Sequence, residues 1–164
     1  MTADLSSELL DEAVTAYINP VLRLLPVPGV REALVAVRER GVRLAVISNT
    51  GRTPGVVLRQ VLHHYGFLGF FTTLSYSDEI GYRKPHPEIF RETLLRMGAE
   101  PARALHIGDD AAADVAGARS VGMRVCHFRA HGGGGSPEAD FILDDLADLP
   151  DCLARLAEVP QGGF

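Results

Sequence analysis

At 164 residues, with 46% hydrophobic and 23% charged side chains, the chain fits one ordinary globular domain and is not composed like a disordered one. A formal net charge of −5, with no dense Lys/Arg cluster, argues against nucleic acid or an anionic membrane as partner, since both need concentrated positive charge. Two cysteines without CxxC spacing, Cys126 and Cys152, argue against a disulfide framework or a zinc site, and no stretch has the apolar length of a membrane span. The expectation is a soluble, cytoplasmic protein whose partner is a small molecule rather than a polymer.

Residues 1–10 lack the basic start and apolar core of a signal peptide. Residues 6–25 read as an amphipathic helix that ends before Pro26. Pro28-Gly29 turns the chain into a helix over 30–40, with Val30, Leu34 and Val37 on one stripe and Gly41 as its stop. The first strand, 42–47 (VRLAVI), is compact and β-branched, and it ends abruptly at Ser48-Asn49-Thr50-Gly51. A helix over 54–65 starts with proline and ends at Gly66. A strand over 70–76, a helix over 87–97 and a strand over 104–107 follow. Next come a helix over 111–121, a strand over 123–128, a glycine-rich loop at 131–136 (HGGGGS), a weaker strand over 139–143 and a helix over 146–157. Such short, continuous apolar runs suit strands covered on both faces, and their alternation with helices predicts an open α/β sheet with right-handed crossovers.

In open α/β sheets function collects at the carboxyl ends of strands, and three such ends are polar here. Ser48-Asn49-Thr50 offers a hydroxyl and exposed amides that suit a phosphoryl oxygen, although the same residues are common turn and capping residues. Lys84 lies in Gly81-Tyr82-Arg83-Lys84-Pro85-His86-Pro87, where the neighbouring rings restrict its backbone. It suits either neutralisation of a bound anion or an ordinary surface turn. Asp109, Asp110 and Asp114 follow an apolar strand and Gly108. They suit a hard cation such as Mg²⁺, which takes oxygen ligands, or helix-capping charges, a reading that accounts for Asp110 better than for Asp109.

In combination and order, these three segments resemble the second, third and fourth motifs of the haloacid dehalogenase superfamily. The wording RLAVISNTG, SDEIGYRKPHPEIF and HIGDDAAADVAGARSVGM follows that family across residues 28–149. The resemblance implies a three-layer α/β/α, Rossmann-like core with a mostly parallel sheet over residues 28–164. It implies hydrolysis of a phosphate ester on a small phosphorylated metabolite with Mg²⁺ as cofactor; some relatives transfer phosphoryl groups and a few dehalogenate. Carried onto this chain, Ser48 and Lys84 are the catalytic candidates. Ser48, Asn49, Thr50 and Lys84 are the phosphate-binding candidates, and Asp109 and Asp114 the metal candidates, Asp114 as a ligand or as support from behind. Asp110 carries less weight.

The family's first motif, DxDxT, supplies the nucleophilic aspartate, and it has no match here. Asp4 has no apolar strand before it and Asp11 lies in a helical pattern. The resemblance makes residues 1–27 a remnant of the helical cap and linker, and makes the absent nucleophile strand the central one, between the strands ending at Ser48 and Gly108. Three outcomes follow for the gap. The flanking strands close up, another chain donates a strand or self-associates there, or the fold is only marginally stable. The expected activity of the chain alone is negligible; a non-catalytic binding protein and one half of a split enzyme are the alternatives. Asp114 after Gly108-Asp109 leans toward the phosphatase side over the dehalogenase side.

Overall fold

The computed structural model describes residues 25–129 and 132–158. The helix expected over 6–25 falls outside them apart from Leu25. The fold is α/β, with every strand pairing parallel. Helix α1 (Val30–Glu39) leads into β1 (Leu44–Ser48), and α2 (Gly55–His64) into β2 (Phe71–Tyr76). A short helix α3 (Ser77–Ile80) and the longer α4 (Pro87–Met97) precede β3 (Leu105–Gly108). Helix α5 begins as a wide turn over Ala111–Ala116 and continues through Gly117–Arg119; β4 (Arg124–Phe128), β5 (Phe141–Leu143) and α6 (Leu149–Glu158) complete the order.

The local signals act as expected at α4. His86 accepts the Glu88 amide at its start, Pro87 occupies the first turn, and Gly98 closes it in the left-handed conformation at φ 56°. Two apolar layers sandwich the strands. On one face Ala33 and Val37 of α1 and Leu149 and Cys152 of α6 pack on Cys126, Phe128 and Leu143, with Leu44, Leu105 and Ile107 against them. On the other, Ile89, Phe90 and Leu94 of α4 and Val115 and Ala118 of α5 pack on Val125, with Ile47 against them. Val125 and Cys126 face opposite layers, as neighbours on a strand must.

The sheet is interrupted. β1 pairs only with β2, while β3, β4 and β5 form a separate three-stranded ladder. Among the described residues no strand lies between β1 and β3, and they do not pair with each other. Both faces of this discontinuous sheet are nevertheless covered by shared layers, because Leu44 of β1 joins the cluster that holds Leu105 of β3. All five residues of β1 are only half-buried, whereas four of the five in β4, paired on both edges, are buried.

Candidate active site at the strand ends

The carboxyl ends of β1 and β3 and the turn before α4 are tied into one network. Asn49 follows β1 and makes a reciprocal pair with the main chain of Lys84: its Nδ2 donates to the Lys84 carbonyl at 2.8 Å, and its Oδ1 accepts the Lys84 amide at 2.6 Å. The Lys84–Pro85 peptide is cis. The Lys84 side chain then turns inward, and its Nζ donates to Asp114 Oδ1 at 2.5 Å. His106 Nε2 meets the same oxygen at 2.8 Å, and Asp114 Oδ2 accepts the Asp110 amide at 3.2 Å. Phe90 lies edge-on to the His106 ring with centroids 5.2 Å apart.

This surrounding fixes the charge state of Asp114, whose side chain is 4% exposed. Burial by itself pushes its carboxyl upward, but the hydrogen bonds from His106 and Lys84 outweigh that and hold it down at about 2. Both carboxylate oxygens are occupied, and one lies against an ammonium. Asp114 is thus the buried anion on which Lys84, His106 and the Asp110 amide converge. Gly108 makes the approach possible, since a Cβ there would sit 2.2 Å from Asp114 Cγ.

The other predicted residues divide by what they touch. Thr50 is engaged by the following segment: its Oγ1 donates to Asp78 Oδ1 at 2.8 Å, and its amide donates to Ser77 Oγ at 2.9 Å. Asp78 also accepts the Gly55 amide at 3.0 Å, and that bond leads the causes holding its carboxyl below the usual range. In this arrangement Thr50 and Asn49 tie the loop after β1 to the segments at Ser77–Asp78 and Lys84. Ser48, half-buried at the end of β1, has no side-chain partner among the described residues. Asp110 caps α5 by accepting the Ala112 and Ala113 amides, each at 2.8 Å, so the capping reading holds for it. Asp109 is exposed, and its carboxylate likewise has no partner among the described residues. Asp78, His106 and His127 are the polar residues that the sequence did not single out. His106 and His127 are embedded in apolar strand runs, where a histidine carries no pattern of its own.

These residues suit a hard cation in a limited way. Asp109 offers one unengaged carboxylate, and Mg²⁺ needs only one or two carboxylates when water and phosphate complete its shell. Among the described residues no three His, Cys, Asp or Glu side chains converge as a self-sufficient metal site. No helix among them is long and apolar enough to cross a membrane.

A family model described as haloacid dehalogenase-like hydrolase matches residues 2–122. The chain is 32% identical over 165 residues to a glyceraldehyde 3-phosphate phosphatase of Methanopyrus kandleri, covering 95% of this chain and 69% of that protein. It is 37% identical over 136 residues to the plasmid phosphoglycolate phosphatase of Cupriavidus necator, covering 79% and 57%. To haloacetate dehalogenase H-2 of Moraxella sp. it is 35% identical over 140 residues, covering 79% and 53%. Among solved structures it is similar to a HAD phosphatase from Thermococcus onnurineus, with a TM-score of 0.74 and 30% identity over 92% of this chain and 65% of that one. The chain thus spans roughly half to two-thirds of the length of these relatives.

Proposed function

The chain belongs to the haloacid dehalogenase-like hydrolases, and on that premise we propose that it forms the phosphoryl-handling part of a phosphatase-type member acting on a small phosphorylated metabolite. The observation that carries the proposal is the chain of contacts from Asn49 through Lys84 to Asp114. It gathers three separate strand-end segments around one anchored cation, and two of those segments carry the unengaged Ser48 hydroxyl and Asp109 carboxylate. In this reading the Ser48 hydroxyl donates to a phosphoryl oxygen, and Lys84, held by Asp114, offsets the anion's charge. Asp109 would hold Mg²⁺, which when bound supplies further charge neutralisation at the phosphate. Phosphatases among the similar proteins support the phosphate side of the choice, although a haloacetate dehalogenase stands beside them.

By itself the chain is expected to turn over negligibly. This expectation is supported by Asp114, the carboxylate on Lys84, whose two oxygens are engaged by Lys84, His106 and the Asp110 amide. The break between β1 and β3 favours a second reading of the same site, one half of an enzyme completed by a strand donated from another chain. The deciding assay is hydrolysis of an aryl phosphate with and without Mg²⁺ beside Asp109→Asn, with calorimetry for Mg²⁺ and inorganic phosphate. Mg²⁺ and phosphate binding without turnover, lost in Asp109→Asn, supports the proposal. Robust turnover that Asp109→Asn abolishes refutes the expected inactivity. Absence of both binding and turnover in a folded protein refutes the site.

A further inference from the structure

At the end of β4 a single buried imidazole joins two segments that are otherwise separate. His127 is 7% exposed, and its Nδ1 accepts the Ser136 amide at 2.8 Å. An atom that accepts a backbone N–H carries no proton, so in the neutral ring the proton sits on Nε2. Nε2 lies 3.1 Å from the main-chain carbonyl of Asp109 and donates to it. One partner therefore sets the tautomer that the other partner uses.

What this bridge connects gives it meaning. The Asp109 carboxylate has no partner of its own among the described residues, so the main chain, which sets its Cα–Cβ bond, is what fixes where it starts from. That main chain is held by the pairing of Gly108 with His127 on one side and by the Asp110 capping turn on the other. At the Asp109 carbonyl, His127 is the only partner among the described residues. Residues 132–135 of the loop are all glycine and have no side chains, and two side-chain hydrogen bonds anchor the described part. Near its beginning Arg129 Nη1 donates to the Gly133 carbonyl at 2.9 Å while Arg129 pairs with Asp144. At its close the anchor is Ser136 on His127.

We infer that His127 is a positioning residue of the candidate site, setting the Asp109 main chain and the closing end of the glycine-rich loop with one ring. The functional sense of this bridge rests on the proposed ligand-facing role of Asp109; the bridge itself does not.

The two nitrogens can be tested separately in the full chain. Asn at 127 places an amide oxygen near the Nδ1 position and can keep Ser136; Gln extends an NH₂ toward the Nε2 position and can keep Asp109. Amide exchange by NMR is expected to run about tenfold faster at Ser136, but not at Asp110, Ala112 and Ala113, in His127→Gln. The reverse pattern is expected in His127→Asn. Calorimetric Mg²⁺ affinity should survive in His127→Gln and fall about tenfold in His127→Asn. A purely structural histidine would loosen both segments alike in both variants, and that result overturns the inference. So does a long-range ¹⁵N spectrum of the wild type with the proton on Nδ1. Failure of the wild type to bind Mg²⁺ would refute the metal role of Asp109, while the exchange pattern would still decide the bridge.

Discussion

Replacing Asp114 by Asn removes the charge on which Lys84 and His106 converge, at a site only 4% exposed. Two routes give the magnitude. The carboxyl is held at about 2 against its ordinary 3.8, which at about 1.36 kcal/mol per pH unit corresponds to roughly 2.4 kcal/mol of stability at neutral pH. Removing one member of a buried ion pair typically costs about 3–5 kcal/mol, because the remaining charge is left without compensation. The expected loss is therefore about 2.5–4 kcal/mol, a fall in Tm of roughly 5–15 °C for a domain of this size. The sign of the pH dependence is also fixed. Because the folded pKa is lowered, the stabilisation is fully present above about pH 4 and disappears as pH falls toward 2. Urea titrations of wild type and Asp114→Asn at pH 7 and at pH 2.5 test both points. The two curves should stand well apart at pH 7 and draw together at pH 2.5. A variant as stable as wild type at pH 7, or a gap that does not shrink in acid, would refute the account of Lys84 anchored by a buried carboxylate.

Asn49→Ala should destabilise by about 1–3 kcal/mol, since it leaves the Lys84 amide and carbonyl without the partners they have here, and the shift is read from the urea midpoint. Asn49→Asp keeps the acceptor and should recover part of it. Gly108→Ala should cost about 1–3 kcal/mol or prevent folding, because the added methyl meets Asp114. Gly51→Ala, where nothing lies within 4 Å of the added carbon, should leave Tm within a degree or two; equal effects at the two positions would remove the packing argument.

The strands were legible because a parallel sheet covered on both faces needs short apolar runs, and those runs stop at polar residues. Each observed strand lies within two residues of its expected bounds at either end. The beginning of α5 was not legible. An alanine-rich stretch carries only a helical signal, yet the Asp114 and Val115 amides both donate to the Asp110 carbonyl, at 2.8 and 3.2 Å, widening the first turn. Asp114 in that widened turn is tied across to Lys84 and His106. That tie depends on residues a sequence window does not contain. The same limit explains Asn49 and Thr50. Residue type and strand-end placement pointed to a phosphate site, but their partners, Lys84 and the Ser77–Asp78 pair, lie 27 to 35 residues away. A small polar residue after a strand can face a ligand, clasp a loop or do both, and its partner is not visible in its own sequence window. Helix α3 was unforeseen because four residues give no periodicity to read.

The interrupted sheet has a mechanical consequence. Backbone hydrogen bonds make each strand ladder stiff, but among the described residues that stiffness ends at β1 on one side and at β3 on the other. The load between the two ladders passes through side chains, namely the Lys84–Asp114 pair and the apolar layers shared by Ile47 with Val115 and by Leu44 with Leu105. Such contacts resist separation well and sliding poorly, since apolar packing has no direction to defend. Among the described residues, then, no backbone hydrogen bond between strands resists a shear of one ladder past the other. Such a slip would carry Ser48 and Asp109 in opposite senses, so the distance across the candidate site depends on a joint made of side chains.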